Sequence, residues 1–253
     1  MVIESASPPR RFGSRTRRPE LGGKTRRRRP LTVISVVLVV TAVAAVIGWY
    51  EILPRYRPEL QPGERYGIDV SSHQGKINWD DVATDEVSLV YMKATEGDDF
   101  VDKRFAENWT GAGSAGIARG AYHFFTLCSS GAAQAANFLR VLPTDPEALP
   151  PAVDLEYSGC SKRPDNATFQ RELNIFITTV EGKVGKQVML YALPSFTKKY
   201  PLTDGLMTRD RWVRHLFRRP AADGWAVWQV SDRGQVKGID EPTDIDVWAR
   251  GAG

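Results

Sequence analysis

Residues 149–159 read LPPAVDLEYSG. Two prolines lead into an apolar pair, an Asp and a Glu follow two positions apart, and a Tyr and a Ser-Gly turn close the run. On a β-strand, side chains two apart share a face, with Cβ atoms ~6.6 Å apart at ~3.3 Å per residue. Asp154 and Glu156 therefore point together, while Val153, Leu155 and Tyr157 take the other side. An isolated pair of strand-end acids is ordinarily solvated surface. What the pair means depends on what else the chain brings to it.

Working outward, short apolar runs alternate with longer mixed segments. The candidate strands are YGIDVS (66–71), SLVYMKA (88–94), ARGAYHFF (118–125), PAVDLEY (151–157), QVMLYAL (187–193), RWVRHL (211–216), WAVWQVS (225–231) and TDIDVWA (243–249). Helical spacing appears between several of them. Phe169, Leu173, Phe176, Ile177 and Val180 form one stripe, and Ser130 is placed to cap the helix AAQAANFLRVL. The later connections, 217–224 and 232–242, are too short or too rich in Gly, Pro and Asp for full helices. The pattern is βα units first and then mostly strands. Eight strands predict an α/β barrel, although ~190 residues is small for a complete (β/α)₈ fold.

The acids recur at strand ends. Asp69 sits in YGIDVSSHQG, Asp244 and Asp246 in TDIDVW, and Lys93 and Glu96 follow the apolar run of VYMKATEG. Carboxylates that converge repel one another and raise at least one pKa. A carboxyl held protonated near neutral pH can serve as a general acid, and paired carboxyls with aromatic neighbours suit glycoside cleavage. A metal-dependent hydrolase is the competing use of acids. The histidines, His73, His123 and His215, lie in no zinc-binding arrangement, which leaves Mg²⁺ or Ca²⁺ on oxygen ligands as the form to test with a chelator. A catalytically idle binding protein is the third reading. No cofactor is expected.

The rest of the chain sets the compartment. Residues 1–30 hold ten Lys/Arg against Glu4 and Glu20, a charge of +8 in a chain whose net charge is +4. The remainder is therefore acidic, at −4, and offers no nucleic-acid surface. Directly after the basic tail comes LTVISVVLVVTAVAAVIGWY, residues 31–50, with no charge. Its length matches the ~20 residues that cross a bilayer core, and the basic flank before it predicts a cytoplasmic N-terminus. A cleaved secretory signal has a shorter apolar core, ~7–15 residues, so the expectation is a retained single-pass anchor with the rest of the chain extracytoplasmic. Residues 51–65, EILPRYRPELQPGER, space Pro54, Pro58 and Pro62 four apart and read as an extended tether before a domain at 66–253. Cys128 and Cys160, an even count in an exported domain, permit one disulfide between the loops after the third and fourth strands.

Taken in order, YGIDVSSHQGKINW, VYMKATEG, GAYHFF, PAVDLE and WAVWQV…TDID resemble the motifs of glycoside hydrolase family 25, the N-acetylmuramidase lysozymes. The resemblance covers about residues 66 to 249. It implies an irregular TIM-like (β/α)₅β₃ barrel and cleavage of peptidoglycan glycan strands after N-acetylmuramic acid, without a metal. By position it implies Glu156 as general acid and Asp154 as the carboxylate that orients the substrate's acetamido group, with Asp69 and Asp244 as two further acids around the bond. The implied route has that N-acetyl group attack the anomeric carbon; the carboxyl spacing alone does not choose between retention and inversion. Tyr122 and Tyr191 resemble family positions lining the sugar groove, Trp228 and Gln229 match the family's Trp-Gln pair, and Lys93 and Glu96 are further candidates there, with pairing to an acid as the alternative role for Lys93. His123, adjacent to Tyr122, should face the opposite side as a structural residue. Two departures stand out. Val230 follows Trp-Gln where relatives often carry an aromatic, and Asp246 stands where they commonly carry Asn, which is expected to add a charge at the rim.

Overall fold

The computed structural model describes residue 13 and residues 29–157, 159–221 and 224–249. Most of the basic tail, 1–30, lies outside the described residues. The chain divides into two compact units between Ala45 and Val46. The first contains most of the helix α1 (Arg29–Ile47), whose apolar side chains are exposed: Val33, Leu38 and Val40 are each more than half accessible. Among the described residues this is one helix long and apolar enough to cross a membrane.

The second unit is built on a closed sheet. Its strands are β1 (Arg65–Val70), β2 (Val87–Glu96), β3 (Phe100–Val101), β4 (Ala118–Phe124), β5 (Ala152–Leu155), β6 (Met189–Ala192), β7 (Arg211–Arg214), β8 (Val227–Val236) and β9 (Ile239–Trp248). Apart from the short edge strand β3, they form a ring in the order β1-β2-β4-β5-β6-β7-β8-β9, closed by β9 against β1. Strands β1 to β8 of the ring are parallel, and β9 runs antiparallel to both neighbours. Helices α2 (Trp79–Ala83), α3 (Phe105–Ser114), α4 (Gly131–Val141), α5 (Asn166–Val184), α6 (Pro194–Lys199) and α7 (Asp204–Met207) fall between strands up to β7, and among the described residues none follows. This is the expected (β/α)₅β₃ barrel, with all eight candidate strands present. The segment 232–242, expected to hold no full helix, extends β8 and β9 into a long hairpin.

Local chemistry fixes the helices. Ser130 caps α4 by accepting from the Ala133 N–H at 3.2 Å, as its sequence suggests, and Asp165 caps α5 through the Thr168 N–H at 2.7 Å. The α5 stripe Phe169, Leu173, Phe176, Ile177 and Val180 is fully buried, and Gly185 ends the helix at φ 73°, a left-handed turn that favours glycine.

Strand alternation splits the side chains into two sets. Ile68, Val90, Val153 and Leu190 face the helices, while Leu89, Tyr91, Met189, Trp212 and Trp248 fill the barrel interior. Tyr91 stacks on Trp248 at 5.8 Å and tilts against Trp212 at 5.2 Å, so the lower barrel is a plug of rings. Gly67 and Gly120 make the space. A Cβ at Gly67 would come within 2.3 Å of Leu89, and one at Gly120 within 2.4 Å of Tyr91.

Residues 51–65 are not a free extended tether. Tyr56 and Leu60 pack on the outward-facing Trp228, Val230 and Val247. Arg57 donates to the Gln235 carbonyl at 2.7 Å, and Arg219 binds Glu64 at 2.5 Å. Apolar residues between the prolines meet apolar residues on the barrel wall, and the segment is held along it.

The closest helix approach yields a paired prediction. A Cβ at Gly131 would lie 1.8 Å from the Glu172 carbonyl oxygen, whereas one at the exposed Gly182 meets nothing within 4 Å. Gly131→Ala should cost about 1–3 kcal/mol through overpacking against a backbone that the α5 stripe holds in place. Gly182→Ala should stabilise by about 0.5–1 kcal/mol through helix propensity. Denaturant melts of the two variants check both signs.

Candidate active site

The parallel strands deliver their C-terminal ends to one mouth, where a TIM-like barrel carries its chemistry. The interior-facing side chains there line one pocket: Asp69 from β1, Tyr122 from β4, Asp154 from β5 and Glu156 directly after it, Tyr191 from β6, Trp212 from β7, Gln229 from β8 and Asp244 from β9. Its volume of about 110 Å³ is well below the ~300 Å³ that encloses a small ligand, so it is the floor of an open cleft. Asp154 and Glu156 do share a face.

Hydrogen bonds hold the frame of this pocket. Tyr191 donates its hydroxyl to Gln229 Oε1 at 3.0 Å, and the Trp212 indole donates to Asp246 Oδ1 at 3.0 Å. Asp69 and Asp244 are directly opposed across the antiparallel β1–β9 pair. Asp69 Oδ2 and Asp154 Oδ1 are buried without a hydrogen-bond partner among the described residues, so each can accept from a donor that enters the pocket.

Every acid in the pocket is pushed toward its neutral form, chiefly by burial. Asp154 is raised well above the usual carboxylate range by burial and then by Glu156, and Lys93 opposes this. Glu156 is raised by burial against the Tyr191 hydroxyl and the cations Arg214 and Lys93. Asp69 is raised by burial and by Asp244, Asp246 and Asp154, and Asp244 is pushed up by burial to about 6. Burial of both groups and the repulsion of Asp154 by Glu156 favour a proton kept on this pair after ordinary carboxyls have lost theirs.

The remaining sequence-derived residues distribute as follows. Lys93 sits near the pocket, binding Glu96 at 2.6 Å and lying 4.9 Å over the Phe124 ring; neither Lys93 nor Glu96 lines the floor. Trp228 does not join the site. Adjacent strand residues face opposite sides, so with Gln229 inward Trp228 points outward, fully buried, with its indole on the His215 carbonyl at 2.8 Å. Val230, on that same outer face, lies in the wall and not over a sugar. His123 is fully buried between Thr95 Oγ1, at 2.7 Å from Nδ1, and Gln134 Oε1, at 3.1 Å from Nε2. Burial pushes it down to about 4, so it is the neutral structural histidine its alternation with Tyr122 suggests. Asp246 is not a rim charge: it is 1% exposed, beneath the pocket. Cys128 and Cys160 form a disulfide with Cα atoms 5.7 Å apart, joining the loops after β4 and β5. Among the described residues no His/Cys/Asp/Glu group has the arrangement of a metal site.

Sequence reasoning missed Trp212 and Arg214. Both lie in RWVRHL, a strand with bulky residues on each face, and nothing in the pattern says which face is inside.

The chain matches the model of glycosyl hydrolases family 25 over residues 68–239. It belongs to that family. Lysozyme M1 of Streptomyces globisporus is 35% identical over 192 residues, 70% of this chain and 65% of the relative. Among solved structures, a family 25 glycosyl hydrolase from Bacillus anthracis superposes with a TM-score of 0.69 at 33% identity, covering 77% of this chain and 93% of the other. A bacterial lysozyme from Streptomyces coelicolor gives 0.68 at 31%, covering 76% and 95%. The family 25 chain is thus a glycoside hydrolase, and its acid-lined mouth is the candidate site for that chemistry.

The raised acids carry a pH prediction. Asp244 ionises near 3.8 when unfolded and near 6 when folded, so the folded state binds the extra proton between those values. Its stabilising contribution is fully present below about pH 4 and is lost as pH rises through about 6, at most ~3 kcal/mol for a shift of about two pH units. Asp244→Asn removes the titration. Its melting temperature should fall less than the parent's between pH 4 and pH 7, and parallel curves would contradict the assignment.

Proposed function

We propose that the protein is a peptidoglycan hydrolase of the muramidase type, cleaving the β-1,4 bond between N-acetylmuramic acid and N-acetylglucosamine. The observation that carries this reading is the Asp154–Glu156 pair, set side by side on the pocket floor with Asp69, Asp244 and Tyr191 in a family 25 barrel. Relatives named as lysozymes support the substrate class.

The chemistry follows from the pair's single proton. Before substrate binds, deeper burial favours it on Asp154, whose Oδ1 has no hydrogen-bond partner among the described residues. A substrate acetamido N–H donated to that oxygen stabilises the Asp154 carboxylate. The proton then resides on Glu156, which is half-buried and open to the cleft. Glu156 gives it to the leaving glycosidic oxygen as the acetamido oxygen, held in place by Asp154, bonds to the anomeric carbon; Glu156 then takes a proton from the water that opens this cyclic intermediate and leaves a hydroxyl on that carbon. Asp244, ionised above about pH 6 and set beside Asp69, supplies negative charge that favours the developing positive charge on the sugar ring. Tyr122 offers an aromatic face and Gln229 an amide to the sugar, Tyr191 fixes both Gln229 and Glu156, and Lys93, held by Glu96, limits the excess of negative charge beside Asp154.

The helix α1 fits a single-pass anchor with the N-terminus in the cytoplasm and the barrel on the wall side, so that the enzyme works on polymer close to its membrane. Purified peptidoglycan incubated with the full-length protein in detergent should release fragments whose new reducing end is N-acetylmuramic acid. Glu156→Gln should lower kcat by about 10²–10⁴ with little change in melting temperature. A native protein that releases nothing, or fragments ending in N-acetylglucosamine, would overturn the reading.

A further inference from the structure

Beneath the catalytic pair lies a carboxyl that the reaction does not use. Asp246 is 1% exposed and faces the barrel interior between Trp248 and Asp244 on β9. It is in register with Gly67 on β1 and Gln229 on β8. Because Gly67 has no side chain, nothing from that position separates Asp246 from Asp69, the next inward-facing residue of β1. Asp69 in turn opposes Asp244. Three carboxyls therefore meet at one seam.

The partners of this group are unequal. Asp246 Oδ1 accepts the Trp212 indole N–H at 3.0 Å, which occupies one oxygen. Asp69 Oδ2 is buried and receives no hydrogen bond from a donor group among the described residues, while its carboxyl lies in hydrogen-bond contact with those of Asp244 and Asp246. A buried carboxylate oxygen with no donor is costly, and facing two further carboxylates makes it more so. The titratable groups facing Asp246 are Asp69 from β1, Asp244 from its own strand and Tyr91 from β2, itself neutral and raised by burial. None of them is a cation. A proton lying between Asp69 and Asp246 removes both difficulties: it gives the orphaned oxygen a partner and lowers the charge of the seam.

We propose that Asp246 is a positioning residue that shares one proton with Asp69, anchored from below by Trp212, and thereby holds Asp69 against Asp244 on the pocket floor. Burial and the neighbouring acids push both Asp69 and Asp246 toward the protonated form, in agreement with this geometry. The proton is shared and not transferred during turnover. Asp246 acts through Asp69, so its effect on activity rests on the muramidase reading, while the buried proton does not.

The experiment uses full-length protein in detergent, with Asp246→Asn and Asp246→Leu. An amide keeps a carbonyl for Trp212 and an N–H for Asp69; leucine fills the volume and offers neither. At pH 7 the infrared spectrum of the parent should contain a protonated-carboxyl component that both variants lack. On peptidoglycan, the amide variant should keep kcat within a few-fold of the parent, whereas leucine should lower kcat about tenfold or more at nearly unchanged KM, with rescue visible only in the amide. The alkaline limb of the parent's pH–rate profile should move in the amide variant. An infrared spectrum identical in parent and amide variant overturns the proposal, as does a leucine variant with the activity and pH profile of the amide. If the parent itself releases no fragments, the muramidase reading fails, and the infrared comparison still decides whether the shared proton exists.

Discussion

A closed barrel that gathers carboxyls at its mouth must keep some of them neutral. Asp69, Asp154, Glu156, Asp244 and Asp246 converge from three strands, with burial the largest influence on each. The cations within reach, Lys93 and Arg214, are already engaged by Glu96 and Asp232 at 2.6 Å. The site resolves its charge by retaining protons, and a retained proton is what glycoside cleavage needs at neutral pH.

The fold makes that arrangement tolerable. The ring plug of Tyr91, Trp212 and Trp248 fills the barrel below the acids, and the same Trp212 supplies an N–H to the deepest of them. Glycines at 67 and 120 admit Leu89 and Tyr91 to the interior. The antiparallel return of β9 sets Asp244 opposite Asp69, a direct face-to-face pairing that parallel neighbours do not make. The disulfide between Cys128 and Cys160 then ties the loops flanking Asp154 and Glu156, limiting how far this mouth can open.

Much of this was legible in the chain. Period-two alternation in PAVDLEY and TDIDVW put the acids on one face, and the α5 stripe announced its buried side. The ordered motifs carried the family. What escaped needed three-dimensional parity. Trp228 and Gln229 are neighbours on one strand and so cannot both reach a groove; only closure of the barrel says that Gln229 is the inward one. Trp212 had no such neighbour to betray it. Asp246 reads as a rim charge because strand-end acids usually are, but a strand running the opposite way places its third-from-last residue deep in the barrel. The segment 51–65 reads as a spacer from its prolines, yet Tyr56 and Leu60 between them find the outward face of β8.

The proposed chemistry needs the Asp154–Glu156 pair to keep one proton after ordinary carboxyls have lost theirs. Carboxyl ¹³C NMR, with Asp154 and Glu156 assigned by substitution and followed as pH is raised, measures it directly. The two signals should titrate together, with a proton retained well above the ordinary 3.8 and 4.5, and Asp154→Asn should bring the Glu156 midpoint down. Independent midpoints at those ordinary values, with Glu156 indifferent to Asp154→Asn, would contradict it.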